Sequence, residues 1–269
     1  MTYGTPMGGL PTQDTPLTGK AIFTNAYAVI PAGVMRDIVT SYLPYWNRTR
    51  AWILAKPLTG FAETFSQYIV EIQPKGGSTN PEPAPGVEAI IFVTSGSISL
   101  SYNGETHVLT PGGYAYCPPD MHYEILNSGD VKATIHLIRK KYQAIHGLPA
   151  PQAFTTNEQK VAGSMMPNSN DAWSTTRFVD PEDITHDMHV NIVNFKPGGR
   201  IPFEETHVME HGIFILEGQA DYLLNTDWVS VEEGDFLWLR AFCPQACINT
   251  GTGDFRYLLY KDVNRHASL

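Results

Sequence analysis

The run Glu205-Thr206-His207-Val208-Met209-Glu210-His211 places side chains of metal-ligand type at Glu205, His207 and His211. These three positions share parity, so a strand through them, with a local bend, turns all three to one face. Gln245 follows after Gly234-Asp235 and a further strand and turn, and stands where a fourth ligand closes the set. Two imidazoles, a carboxylate and an amide oxygen form a mixed N/O donor set without thiolate. Such a set suits Mn(II), Fe(II), Co(II) or Zn(II), and raw affinity does not favour manganese. With one anionic ligand a divalent ion keeps a net charge of about +1, which attracts an anionic substrate and leaves coordination positions open. Tyr257 and Lys261 lie four apart and share a face if their segment is a strand.

The elements that position these residues are short strands rich in Ile, Val, Phe and Tyr, separated by Gly, Pro or Asn turns: Ala89–Val93, Ser97–Tyr102, Ile213–Leu216, Ala220–Leu224 and Phe255–Tyr260. No long amphipathic helix is evident, and the pattern predicts an antiparallel sandwich or barrel. Landmarks recur at one offset: Gly96 and Gly218, Gly112 and Gly234, Tyr123 and Gln245, Asn127 and Asn249 are each 122 positions apart. The chain is therefore a tandem duplication. The expected division is residues 1–60 as an N-terminal arm and the start of the first barrel, 61–143 as the first barrel, 144–181 as the connection, and 182–269 as the second, metal-binding barrel. The same offset puts Pro83, Pro85, Ala89 and Tyr123 at the four ligand positions of the first copy, so that copy is expected to be metal-free. Glu88 becomes the counterpart of Glu210 and is expected to be a surface or turn residue.

The two blocks of the second copy resemble the paired motifs of the cupin superfamily, G-x5-H-x-H-x3,4-E-x6-G and G-x5-P-x-G-x2-H-x3-N, with the ligand types permuted. Glu205, His207, His211 and Gln245 take the positions of the usual His, His, Glu and His, while Arg240 and Phe242 replace the usual Pro and Gly. That permuted set, followed by Tyr257-Leu258-Leu259-Tyr260-Lys261-Asp262, closely resembles the (S)-ureidoglycine aminohydrolase family. The likeness extends to Tyr114-Ala115-Tyr116-Cys117-Pro118-Pro119 and to the ending Tyr260–Arg265. It implies an all-β bicupin of two tandem antiparallel jelly-roll β-barrels. It also implies one Mn2+ per chain in the second barrel, and conversion of (S)-ureidoglycine and water into (S)-ureidoglycolate and ammonia in purine (allantoin) catabolism. By the same likeness Tyr257 and Lys261 contact substrate. Glu205, with the metal, is expected to hold the carboxylate and amine end, Lys261 to move protons, and Tyr257 to orient the ureido group. Gln245 and Tyr222 are added as substrate contacts. Two alternatives stay open: another metal-dependent cupin enzyme, a dioxygenase or isomerase acting on a small carboxylate, and a non-catalytic small-molecule-binding bicupin.

Composition narrows the partners. The chain has 269 residues, 42% hydrophobic and 17% charged, with no apolar run near the roughly 20 residues of a membrane span. Its net charge of -9 repels a phosphate backbone, so neither nucleic acid nor membrane is an expected partner. Cys117, Cys243 and Cys247 suggest neither a disulfide framework nor a zinc ribbon, and a cytoplasmic location is the default. Met1–Lys20 reads as a mobile arm, and Asn47-Arg48-Thr49 as a chance match to the glycosylation pattern. Exposed strand edges and the arm make a homo-oligomer the expectation. His107, His122, His136, His146, His186 and His189 are read as hydrogen-bonded structural residues, and Cys243 and Cys247 as small buried ones.

Overall fold

A computed structural model describes residues 12–15, 20–32, 41–263 and 265, so most of the expected N-terminal arm lies outside the described residues. The first half contributes β1 (Ile22–Phe23), β2 (Tyr27–Ile30), β3 (Trp46–Ala55), β4 (Ser66–Ser78), β5 (Val87–Ser95), β6 (Ile98–Tyr102), β7 (Glu105–Leu109), β8 (Gly113–Cys117), β9 (Glu124–Leu126) and β10 (Ala133–Lys141). Then come β11 (Phe154–Asn157), a short 3-10 turn, β12 (Gly163–Met165), β13 (Trp173–Arg177), β14 (Met188–Phe195) and β15 (His211–Glu217). The last strands are β16 (Gln219–Leu224), β17 (Asp227–Glu232), β18 (Phe236–Leu239), β19 (Gln245–Asn249) and β20 (Phe255–Asp262).

The duplication is visible in three dimensions. Strands β4 to β10 reappear as β14 to β20 in the same order, and left-handed backbone recurs at matching positions: Gly96 and Gly218, Asn103 and Asn225, Gly112 and Gly234, Asp120 and Phe242. Turn chemistry is thus repeated with the strands. Phe242 occupies the position where the superfamily motif has Gly, and it adopts the left-handed φ of 66° that glycine takes without strain.

The strands pair antiparallel in three sheets. One runs β1-β2-β18-β15-β20-β14-β13-β12, a second runs β11-β8-β5-β10-β4-β9-β6-β7 with β3 on β4, and β17-β16-β19 forms a third. Two strands cross between the halves. Tyr27–Ile30, ahead of the first barrel, pairs with β18 of the second, and Phe154–Asn157, ahead of the second barrel, pairs with β8 of the first. Each half therefore supplies a strand to the other's sheet.

Strand alternation builds three layers of core. In the large second-half sheet one face carries Tyr27, Val193, Phe195, Ile213, Ile215, Leu237, Phe255 and Tyr257, which fill the second barrel. The opposite face carries Met188, Val190, Ile192, Trp238, Leu258 and Tyr260, packed against Trp52, Phe65, Ile69 and Ile138 of the first half. Val70, Ile91, Leu100, Ile135 and their neighbours fill the first barrel.

The layer between the barrels also holds buried acids, and here one expectation is corrected. Glu88 is not a surface or turn residue: it lies within β5 and is fully buried. It accepts a hydrogen bond of 2.7 Å from the Tyr116 hydroxyl, while its counterpart Glu210 accepts one of 2.6 Å from Trp238 Nε1, and Tyr116 and Trp238 are themselves repeat partners. Burial and the neighbouring Asp187 push the Glu88 carboxyl well above the usual range. For Asp187 burial acts in the same sense, but the hydrogen bond from Glu88 and the Lys140 ammonium at 2.6 Å outweigh it and keep the group acidic. Glu88 thus favours its protonated form beside the Asp187–Lys140 ion pair.

Candidate active site

The proposed ligands are gathered at one end of the second barrel, by a route different from the expected strand. β15 begins at His211, and Glu205 to Glu210 is loop, tied down at separate points. Glu205 and Gln245 exchange both backbone hydrogen bonds, N–H of Glu205 to O of Gln245 at 3.0 Å and the reverse at 2.9 Å. Phe242 N–H donates to His207 O at 2.6 Å. Parity along one strand is therefore not what aligns Glu205 and His207 with His211; two bridges to the segment before and at the start of β19 do so.

The side chains meet as follows. His207 Nε2 lies 3.3 Å from Glu205 Oε1, and the His207 and His211 rings are 5.4 Å apart. The Tyr222 hydroxyl donates to Gln245 Oε1 at 3.0 Å, which fixes the orientation of the amide. Tyr222 and Tyr257 pack edge to face at 6.2 Å inside the barrel. Burial pushes both phenols well above their ordinary value, so both stay neutral hydrogen-bonding groups.

Register places the basic groups. Lys261 on β20 pairs with His211 on β15 and with His189 on β14, while Arg177 on β13 pairs with Asn191, two residues from His189. All of these positions have the parity of the side chains that fill the second barrel. Burial lowers the His211 pKa to about 3, helped by His207 and Lys261, so its imidazole is neutral near pH 7. His189 is lowered to about 4 by burial and then by Lys261, His186 and Arg177. Lys261 is likewise lowered, first by burial and then by the Arg177 charge, against the opposing pull of Glu205.

Among the described residues no group of three or more His, Cys, Asp or Glu side chains is drawn tightly enough to hold an ion. The donor chemistry nevertheless fits one. His211 Nδ1 is buried without a hydrogen-bond partner, His211 is neutral, and the Gln245 carbonyl oxygen keeps a second lone pair. Of the seven residues singled out from the sequence, Glu205, His207, His211, Gln245 and Tyr222 are linked by these contacts. Tyr257 touches Tyr222, and Lys261 is the cross-strand partner of His211. Arg177 was not singled out from the sequence, and His189 was read there as structural; both belong to the same wall. Only their inward parity, once β13 and β14 are delimited, marks them.

The corresponding end of the first barrel is filled differently. Arg139, the repeat counterpart of Lys261, hydrogen-bonds Glu82 through Nε and through Nη2 at 2.7 Å, and its Nη1 donates to the Tyr68 hydroxyl at 3.0 Å. An internal ion pair occupies that interior. A groove of about 320 Å3 between the halves holds Arg256, whose charge is already paired with Glu158 and Glu217.

The Cupin domain family matches residues 68–139 and 191–260. The (S)-ureidoglycine aminohydrolase of Escherichia coli (strain K12) is 31% identical over 246 residues, 91% of each chain. A probable (S)-ureidoglycine aminohydrolase of Oryza sativa subsp. japonica is 32% identical over 255 residues, 94% of this chain and 78% of the relative. Among solved structures, a putative glyoxylate induced protein from Pseudomonas aeruginosa is 59% identical with a TM-score of 0.92, covering 100% of this chain and 98% of its own. An oxalate decarboxylase of Bacillus subtilis with Mn(II) centres shares the fold alone, at 10% identity, a TM-score of 0.60, and coverage of 82% of this chain and 74% of its own.

Proposed function

The chain belongs to the (S)-ureidoglycine aminohydrolase family of the cupins and is a hydrolase that releases ammonia from ureidoglycine in purine catabolism, and from that premise we propose that the reaction runs at the inner end of the second barrel, giving (S)-ureidoglycolate. The observation that carries this placement is Lys261, a half-buried lysine paired across the strands with neutral His211 and within the electrostatic reach of Glu205. In the first barrel the matching position is closed by the Arg139–Glu82 pair.

In the reaction the Cα–N bond to the amine breaks, a C–O bond to water forms, and a proton passes from water to the departing nitrogen. Glu205, His207, His211 and Gln245 would hold a divalent ion, which we take to be one Mn2+ per chain. When bound, such an ion supplies positive charge that favours the substrate anion and acidifies water. Lys261, with its pKa lowered, is suited to exchanging a proton with the amine or the water. Tyr257 and Tyr222, neutral throughout, offer hydroxyls to the ureido group, and the Tyr222 bond keeps the Gln245 oxygen aimed. Glu205 holds the amine end.

The test is formation of (S)-ureidoglycolate from freshly generated ureidoglycine, with chelated and manganese-restored protein compared. His207→Ala is expected to lose metal and activity together, and Lys261→Met to keep metal and lose turnover by at least about a hundredfold. Turnover surviving either change refutes the assigned role, and metal-dependent oxygen uptake without ammonia would move the reading to a cupin dioxygenase. A cytoplasmic homo-oligomer is part of the same proposal. Its support is three buried free cysteines and an exposed Phe23 on edge strand β1, and light scattering and cell fractionation test it.

A further inference from the structure

We propose that Arg177 and His189 form a carboxylate-binding subsite on the inner wall of the second barrel, beside Lys261, that selects substrates bearing a carboxylate on the reacting carbon. This rests on the function proposed above and names how that site recognises its substrate class.

The placement comes from register. Strands β13, β14 and β20 are neighbours, Arg177 pairs with Asn191, and His189 pairs with Lys261, so Arg177, His189 and Lys261 occupy adjacent inward positions on three consecutive strands. They lie on the face that carries Val193, Phe195 and Tyr257 into the barrel. No hydrogen bond or ion pair ties the half-buried Arg177 guanidinium to another described residue, in contrast to Arg139 and Arg256, whose charges are paired. His189 is 4% exposed, and its Nε2 has no partner. A buried ring nitrogen left unpaired costs free energy unless something completes it. The carboxylates nearest in effect are Glu205, which pulls on Lys261, and Asp183, which pulls on His189 and sits 3.8 Å from His186. The wall is therefore short of negative charge.

Ureidoglycine and its product both carry a carboxylate that takes no part in bond making. A planar guanidinium matches a carboxylate through two parallel hydrogen bonds, and His189 can donate a third from Nε2. Because that charge is the same in substrate and transition state, the contact adds uniform binding and its loss appears chiefly in KM, the change in kcat being limited to what the altered Lys261 pKa brings. A residue that merely supports the fold would not produce that split.

The experiment uses the metal-loaded full chain. Arg177→Met is expected to raise KM for ureidoglycine ten- to hundredfold at unchanged metal content, with a smaller change in kcat and a shift of the kcat pH profile as Lys261 loses its cationic neighbour; Arg177→Lys is expected to recover part of the KM loss. His189→Leu is expected to raise KM several-fold. The second readout is calorimetric binding of the stable analogue N-carbamoylglycine and of its carboxamide. The parent should prefer the carboxylate by about tenfold or more, and Arg177→Met should lose that preference while its melting temperature stays within a few degrees. Equal binding of the two analogues by the parent, an unchanged preference in Arg177→Met, or a loss in kcat alone overturns the subsite. If the parent releases no ammonia, the reaction assignment fails, and a carboxylate preference abolished in Arg177→Met still supports the subsite.

Discussion

Thr64→Val tests whether the first half of the molecule holds the second half's site in register. Glu210 precedes His211 by one residue and points the opposite way, into the layer between the barrels. Its carboxylate accepts from Glu63 N–H at 3.0 Å, Thr64 N–H at 2.9 Å, the Thr64 hydroxyl at 2.6 Å and Trp238 Nε1 at 2.6 Å. Its own N–H donates to Asp262 Oδ1 at 2.7 Å, one residue beyond Lys261. The anchor therefore sits behind both His211 and Lys261. Valine keeps the branched shape of threonine and removes the hydroxyl, so one of four donors is lost from a buried charge and the Tyr260 hydroxyl, 3.0 Å away, loses its partner. A hydrogen bond to a charged group contributes about 1.5–3 kcal/mol. For a chain of this size each kcal/mol moves the melting temperature by about 2–4 °C, so a drop of roughly 3–12 °C is expected. Metal affinity, measured by chelator competition well below the melting temperature, should weaken by about 3–10-fold, less than for a partner directly behind a ligand. Thr64→Ser keeps the hydroxyl and serves as the control. If serine and valine fall equally, or if valine melts within about 1 °C of the parent, the hydroxyl is not the anchor and the reasoning fails.

Two further outcomes follow from other parts of the fold. Burial lowers the His136 pKa to about 3, so between pH 6.5 and 3 the unfolded chain binds a proton that the native imidazole does not, and stability falls as pH drops. At pH 5 this one group costs about 2 kcal/mol; His136→Gln should shrink the loss of melting temperature between pH 7 and 5 by several degrees, and identical acid limbs would refute the assignment. In Gly212→Ala the new Cβ would lie 2.6 Å from two ring carbons of Phe65, which is stacked on Tyr260 at 3.9 Å. Overpacking of that kind costs about 1–3 kcal/mol and displaces the strand beside His211, so melting temperature and metal affinity should fall together; parent-like values for both would show that the layer between the barrels yields freely.

The duplication was legible because it is written in glycines, asparagines and apolar runs at a fixed spacing; strands β5, β15, β16 and β20 contain the segments read from the sequence, and β6 covers its segment but for Ser97. The grouping of Glu205, His207, His211 and Gln245 was legible from residue type, although the reason given was not the one the fold uses. Parity supposes a strand, whereas Glu205 to Glu210 is loop held by the Gln245 and Phe242 bridges, which no local pattern encodes. The pairing of Leu237 with Val29 spans some two hundred residues and leaves no periodic trace, so the reciprocal exchange of β2 and β11 was illegible. Glu88 was misread for a related reason. A glutamate is buried only when partners complete it, and Tyr116 and Asp187 come from β8 and from the segment before β14.

One pair of repeat positions expresses the divergence of the two barrels. Arg139 and Lys261 are 122 apart, on strands of matching place and parity, and both are cations inside a barrel. Burial works against the Arg139 charge, but Glu82 and Tyr68 outweigh it and raise its pKa further, so the guanidinium stays protonated and pinned. Such a group fills space and cannot trade a proton. Lys261 has no carboxylate hydrogen-bonded to it among the described residues: Glu205 pulls its pKa up, while burial and Arg177 lower it, which favours a lysine that gives and takes a proton. Under the proposed chemistry, the first barrel has settled on the cation that cannot deprotonate and the second on the one that can. The first barrel's contribution is then mechanical, through Thr64 and Glu210, and placing arginine at Lys261 or lysine at Arg139 would not interconvert the two, since each charge is tuned by its own surroundings, Glu82 and Tyr68 for Arg139 and burial with Arg177 for Lys261.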